Sequence, residues 1–376
     1  MTRRTAISTL AALTAHAPRL VCAQAGADAQ SHTDITRRLD RAARQLTGPQ
    51  VPAIAVSATL AGETLLCEGY GLADIEHRVA AGATTRFQTG SVAKMFAACL
   101  ALLHVRDGRI ALDAPVAPLL NGAPDAFNTL TWRHLLTHTG GLAPYEPAVD
   151  LRRDYSDEEL EAGIIDRGFD FAPGEDWAYS NTGYLLLGVL LSRLVGEFYG
   201  DQLRRRLFAP AGMAATEIIS EAAIVPNRAS GYEPEGNRLH NQSWVSPTFL
   251  RTADGACYTT AEDMLRWGLA LRNGKVLTAD EYTLLTRPTP QSLHHDNGNG
   301  SGYGMGMSVA QGQNHRFHGH GGSWQGFKAG FLRVLPDDLI ITVNANSTAF
   351  DYDPALRQLA FAALGDALGD LAAIRV

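Results

Sequence analysis

Ser91 and Lys94, in Gly90-Ser91-Val92-Ala93-Lys94, set a hydroxyl and a primary amine three residues apart at the head of a long apolar run. On a helix this spacing brings the two onto one side, within reach of each other. The chemistry on offer is nucleophilic attack by the serine oxygen, with the amine taking its proton. Desolvation disfavours the charged form of an amine, so a partly buried lysine suits that role. The helix dipole also favours negative charge developing near a hydroxyl in the first turn. Ser-x-x-Lys alone is weak evidence, because a capping serine followed by a snorkelling lysine explains the same four residues.

Two further stretches carry groups suited to the same chemistry. Tyr179-Ser180-Asn181 follows a turn at Pro173-Gly174 and directly precedes an apolar helix. In an extended segment residues two apart face the same way, so Tyr179 and Asn181 present a phenol and a carboxamide to one cleft. The competing reading makes Tyr179 a core residue and Asn181 or Thr182 a helix cap. In His320-Gly321-Gly322-Ser323 the glycines permit close backbone approach, which lets a main-chain N–H face a reacting carbonyl. His320 is expected to supply a hydrogen bond or a proton. His315, His318 and His320 also invite a metal reading. Strand geometry sets His318 and His320 on one face and turns His315 away, and no acidic or cysteine ligand is adjacent, so no metal site is expected. Trp177 and Trp324 flank two of the motifs, either as walls of an acyl pocket or as core residues.

The elements that must hold these groups are legible from periodicity. Val51 to Leu66 reads as two strands joined at Ala61-Gly62. The helix from Val92 is apolar on nearly every face and ends at Gly108. Ser156 and Glu159 form a capping box that opens the charged helix DEELEAGIIDR, whose charges are expected to face solvent. Leu185 to Val195 is a second buried helix. From Ala229 the chain shifts to glycine-rich turns and short apolar runs. A helix is expected at Asp263 to Leu271, and strands at Phe331 to Leu335 and Leu339 to Val343, around the turn Pro336-Asp337-Asp338. A closing helix runs from Ala355 to Leu368. The glycine-rich stretch His294 to Gly306 lacks the strand-loop-helix context of a phosphate site and reads as a surface loop. Strands at both ends with helices between them imply an α+β fold. A sheet domain is expected from residues 33–110 and 225–376, with a helical domain, 111–224, inserted and the site between the two.

Composition sets the outer bounds. The 376 residues are 45% hydrophobic and 19% charged, which supports a packed core and excludes wholesale disorder. A formal net charge of -7 with no basic block argues against nucleic acid as a partner. No apolar run approaches the roughly 18–20 residues of a membrane span. Arg3-Arg4, the apolar stretch Ala6 to Ala15 and Ala23-Gln24-Ala25 form the pattern of an export signal over residues 1–25, with a periplasmic or secreted mature protein. Beyond Cys22 in that leader, Cys67, Cys99 and Cys257 are too few and too widely spaced for a disulfide framework or a zinc site.

In their order and spacing the three motifs resemble those of the serine β-lactamase and penicillin-binding-protein superfamily. The resemblance is strongest to class C β-lactamases and the related esterases and D-aminopeptidases, and it covers residues 35–370. Flanking phrases carry it too: YGLADIEHRVAAGATTRFQTGSVAK, LTWRHLLTHTGGL, LFAPAGMAATEI, DGACYTTAEDMLRWG and GHGGSWQGF. The resemblance implies an antiparallel sheet flanked by helices, with a mostly helical insertion, and no metal or cofactor. It implies Ser91 as the acylated nucleophile, with Lys94 and Tyr179 as proton carriers and either of them as the acylation base. Asn181, His320, Gly321, Gly322, Trp177 and Trp324 would line the substrate site, and the N–H groups of Ser91 and Ser323 would form the oxyanion hole. The substrate would be a small ester or amide, or a D-amino-acid peptide.

One position departs from the pattern. β-lactamases and carboxypeptidases of this type open the third motif with lysine, which helps to hold a substrate carboxylate. Here it is His320, mostly uncharged near neutral pH. Three readings follow: an esterase or amidase working through an acyl-enzyme, a β-lactamase or D-alanyl peptidase, and a non-catalytic peptidoglycan- or partner-binding protein. The Gly-x-Ser-x-Gly elbow of α/β-hydrolases is absent.

Overall fold

Strand-forming residues at the two ends of the chain assemble into one sheet. The computed structural model describes residues 19–220, 222–247, 249, 252–295 and 301–369. Most of the expected leader, through residue 18, lies outside the described residues. The strands β1 (Ala53–Leu60) and β2 (Glu63–Asp74) form a hairpin. Its turn is at Ala61-Gly62, with φ of 50° and 91°, the left-handed pair that matches the twist of a two-residue hairpin. β3 (Val79–Ala80) follows on the outer edge. The C-terminal part adds β4 (Ser301–Tyr303), β5 (Ser308–Gln311), β6 (Arg316–Trp324), β7 (Phe327–Leu335) and β8 (Leu339–Ala345). The sheet order is β3-β2-β1-β8-β7-β6-β5-β4, with neighbouring strands antiparallel throughout. The two ends of the chain are zipped together by β1 against β8, with Ile54 opposite Ala345 and Leu60 opposite Leu339.

The longer helices are α1 (Arg19–Arg44), α2 (Ala93–Arg106), α3 (Asp157–Arg167), α4 (Asn181–Val195), α5 (Ala261–Arg272) and α6 (Tyr352–Leu364). Alternation along β8 serves both faces of the sheet. Ile341 and Val343 join Leu39, Leu356 and Leu359 in the core beneath α1 and α6. Ile340 joins Met264, Trp267 and Phe96 on the opposite face, under α5 and α2. α5 lies close because Gly268 has no side chain: a Cβ there would come within 2.9 Å of Ile340. Among the described residues, 111–224 contribute helices and turns but no strand to the eight-stranded sheet.

α2 is buried at every position from Ala93 to His104, as its unbroken apolar run requires, and Gly108 follows its end at a φ of 70°. The capping box of α3 is present, with Ser156 accepting from Glu159 N–H and Glu159 reaching back to Ser156 N–H at 2.9 Å. The expectation that this helix turns its charges to solvent fails at Glu161. That carboxylate is 1% exposed and is held by Arg193 at 2.6 Å and by Asn121 N–H at 2.7 Å. The stretch 294–306 is likewise more than a surface loop. Residues 296–300 lie outside the described residues, but Ser301–Tyr303 is the outer strand of the sheet, and Tyr303 and Met305 are buried. Cys67, Cys99 and Cys257 are free thiols, and burial pushes Cys67 up to about 11.

Candidate active site

The chain leaves Thr89 in a 3-10 turn, Gly90–Val92, that runs straight into α2. This junction raises Ser91 at the helix head and turns Lys94 inward, where it is fully buried. Lys94 Nζ lies 3.1 Å from Ser91 Oγ and 2.9 Å from Asn181 Oδ1, and it donates to the Asp254 carbonyl. Two of these partners, the Asn181 oxygen and the carbonyl, can only accept. The third, a serine hydroxyl, can accept or donate. An ammonium therefore satisfies the set with three donated bonds. A neutral amine satisfies it equally, with two donated bonds and one accepted from Ser91. A proton can pass between Oγ and Nζ with no heavy atom moving. The nitrogen also sits 5.0 Å from the centroid of the Tyr179 ring and 5.6 Å from that of Tyr184.

Tyr179-Ser180-Asn181 forms the second wall. The helix cap is Ser180, which accepts from Gly183 N–H at 3.0 Å, and not Asn181 or Thr182. That frees both ends of the Asn181 amide: Oδ1 faces Lys94, and Nδ2 donates to Glu146 Oε1 at 2.8 Å. Tyr179 is no core residue, since 43% of it is exposed. Its ring packs on the His138 imidazole at 4.4 Å between centroids.

The third wall is β6, and its glycines have a steric reason. A Cβ on Gly322 would lie 2.0 Å from the Thr89 carbonyl oxygen and 3.0 Å from Ser91 N. A Cβ on Gly90, which has a φ of 51°, would lie 2.5 Å from Ser323 N. The nucleophile turn and the strand thus touch backbone to backbone, which puts the Ser91 and Ser323 amides side by side. On the other side of β6, a Cβ on Gly321 would run into the Tyr352 ring at 2.2 Å.

His320 is buried in the same strand. Its Nδ1 faces the Gly321 carbonyl at 2.5 Å, so Nδ1 carries the proton, and Nε2 then accepts from Tyr303 Oη at 2.8 Å. The expectation that His320 offers a hydrogen bond or a proton to substrate meets a ring whose two nitrogens are both engaged. Burial, with Lys94 nearby, pushes its pKa down to about 3, so the ring is neutral. Each of the other two histidines has a partner of its own. His318 Nδ1 is 3.0 Å from Tyr282 Oη, and His315 Nε2 is 2.7 Å from Asp337. The two tryptophans are half-buried. Trp177 stands 6.1 Å from the Tyr303 ring, on the tyrosine side of the site, while Trp324 packs against the helical core.

Several groups at the site were not singled out from the sequence. His138, at a φ of 60°, accepts the Ser180 N–H on Nδ1 at 3.1 Å and packs against Tyr179, Tyr184 and Tyr303. Burial, then the charge of Lys94, holds its pKa well below the usual imidazole range. Tyr145 donates to Asp254 Oδ2 at 2.9 Å, which braces the segment whose carbonyl meets Lys94. His138 and Asp254 lie inside the phrases LTHTGGL and DGACYTT that carried the family resemblance, so a signal for them existed.

The sequence model of the family described as Beta-lactamase matches residues 39–364. The chain belongs to that family. A penicillin-binding protein of Bacillus subtilis is 28% identical over 57% of this chain and 51% of its own length. The D-aminopeptidase of Gluconobacter oxydans is 26% identical over 84% of this chain and 59% of its own. The chain thus spans about half to three fifths of these curated relatives. Among solved structures, the D-amino acid amidase from Ochrobactrum anthropi SV3, complexed with L-phenylalanine, superposes with a TM-score of 0.76. It is 22% identical and covers 89% of this chain and 99% of that one, which fixes the β-lactamase-type fold.

Proposed function

We propose that this protein is a serine hydrolase that cleaves an ester or amide through an acyl-enzyme on Ser91. One observation carries the reading: Lys94 Nζ is 3.1 Å from Ser91 Oγ inside a buried network closed by Asn181 and Asp254. Ser91 Oγ adds to the substrate carbonyl and gives its proton to Lys94 Nζ. The oxyanion faces the N–H groups of Ser91 and Ser323, each worth about 3 kcal/mol in the transition state. The C–O or C–N bond then breaks as the leaving group takes a proton back from the Lys94–Tyr179 pair. Water repeats the sequence on the acyl-enzyme and releases the acid. A fluorophosphonate should add its mass to Ser91, and Ser91→Ala should lose both label and turnover. Full esterase activity in Ser91→Ala would sink the reading.

The name of the penicillin-binding relatives also suggests penicillins as substrates, and an exported protein would meet cell-wall peptides. Their docking in related enzymes uses a cation where this chain has His320, and the neutral, doubly bonded state of that ring argues against either. Nitrophenyl acetate should therefore be turned over far faster than a chromogenic cephalosporin or a D-alanyl-D-alanine peptide. We further propose that residues 1–25 direct export, on the strength of Arg3-Arg4, the apolar stretch and Ala23-Gln24-Ala25. N-terminal sequencing of the mature protein checks that.

A further inference from the structure

Away from the acyl-transfer groups, a cavity of about 320 Å³ opens between the helix Ala279–Leu285 and the strands β5, β6 and β7. One wall is apolar, from Val309, Ala310 and Leu335, and the rim carries Arg287 and Arg316. Among the described residues that line it, none is acidic. Both arginines are exposed, and among the described residues neither guanidinium has a hydrogen bond or an ion pair. The neighbouring arginines differ: Arg106 is held by Glu281, while Arg272 and Arg333 share Asp338. Asp337 is engaged by His315. The nearby carboxylates thus have other partners, and two positive charges are left at the cavity unanswered.

His318 adds a donor inside this cavity. It is 6% exposed, and its Nδ1 lies 3.0 Å from Tyr282 Oη. The phenol is itself fixed, with the Arg333 guanidinium over its ring at 4.8 Å. Burial, then the charges of Arg316 and Arg333, pushes the His318 pKa down to about 4, so the ring is neutral. Nδ1 accepts the phenol O–H, which leaves the ring's own proton on Nε2. Nε2 has no partner among the described residues, and a donor held so deep is costly until it finds an acceptor. Arg316 stands two residues earlier on β6, hence on the same face of the sheet. We infer that this cavity binds a small oxyanion, a carboxylate or phosphate monoester with a short apolar body, held by Arg287 and Arg316 and by the His318 Nε2–H. Guanidinium forks match the paired oxygens of either group, and the apolar wall takes the remainder. His320 follows two residues on along β6, about 7 Å away, so the cavity adjoins the acyl-transfer groups without containing any of them.

Calorimetric titration of the full chain with 3-phenylpropionate, phenyl phosphate and the neutral 3-phenylpropan-1-ol tests this. At least one anion should bind with a Kd below about 1 mM, and the alcohol should bind at least tenfold more weakly. Arg287→Gln and Arg316→Gln, both at exposed positions, should each weaken the anion roughly tenfold, the scale of a lost charge-assisted hydrogen bond. Ser91→Ala should leave its Kd unchanged, and the His318 ring signals should move in NMR spectra during the titration. Tighter binding of phenyl phosphate assigns a phosphate monoester, and tighter binding of 3-phenylpropionate assigns a carboxylate. The inference is overturned by no anion binding up to about 10 mM, by equal binding of the alcohol, or by an unchanged Kd in either arginine variant. Stationary His318 signals overturn it as well. So does loss of binding in Ser91→Ala, which would put the anion at the nucleophile.

Discussion

Adding one methyl group at Gly322 should separate the oxyanion donors without touching any side chain that does chemistry. A Cβ at this position meets the Thr89 carbonyl oxygen at 2.0 Å, whereas ordinary contact begins at 3.4 Å. Both partners are backbone, in a strand paired along its length with β7 and in the turn that leads into the fully buried α2. Neither can rotate away, so β6 and the Ser91 turn must part by about 1.4 Å, the difference between the two distances. Ser323 N–H moves with the strand and Ser91 N–H with the turn. A misplacement of about 1 Å costs on the order of 100-fold, and loss of one oxyanion donor costs 10²–10³-fold. Gly322→Ala should therefore lower kcat for nitrophenyl acetate by at least 100-fold and slow acylation of Ser91 by a fluorophosphonate to a similar degree. Circular dichroism should still report a folded protein, since overpacking costs roughly 1–3 kcal/mol. A folded Gly322→Ala protein whose kcat stays within threefold of wild type would refute the backbone-contact argument.

Lys94→Met keeps the length of the side chain and removes the nitrogen that touches Ser91, Asn181 and the Asp254 carbonyl. Acylation should slow by roughly 10²–10⁴-fold, the usual range for a general acid–base group, and stopped-flow labelling of Ser91 reads it directly. Stability should also respond to pH through the buried histidines. Folding depresses His320 from the usual 6.5 to about 3 and His318 to about 4. The unfolded chain takes up those protons first, so the stability they contribute is complete above pH 6.5 and drains away as pH falls toward 3. Between pH 6.5 and 4.5 the Tm and the unfolding free energy should decline steadily, and His320→Gln should flatten the free-energy slope by up to about 1.4 kcal/mol per pH unit. A wild-type Tm that is flat across this window would count against the buried, neutral state of His320.

How much of this could be read from the sequence depended on the range over which each contact acts. The capping box at Ser156 and Glu159, the turn at Ala61-Gly62 and the buried α2 are written in neighbouring residues, and the structure has all three. The pairing of Ser91 with Lys94 is local too, because three residues on a helical turn fix it. Glu161 escaped because its neutralising Arg193 is 32 residues away on another helix, and a charge run looks the same whether or not one member is buried. Tyr303 escaped for the opposite reason: the glycines around it hid a strand that reaches His320 across the sheet edge. His138 meets the Ser180 backbone 42 residues on, and no local periodicity encodes that.

The exchange of a lysine for His320 shows the limit most clearly. From the sequence it is the loss of one positive charge. In three dimensions it is also the gain of a strut, because Nδ1 ties back to Gly321 and Nε2 holds Tyr303. Tyr303 in turn lies 4.6 Å from His138, and His138 holds both the Ser180 backbone and the Tyr179 ring. The third motif is thereby coupled to the second through neutral aromatic groups, and a cation inserted at position 320 would sit buried beside Lys94. On the opposite wall the Asn181 amide is tied in the same way, with Oδ1 accepting from Lys94 and Nδ2 donating to Glu146, so each motif is held in place by a partner outside it.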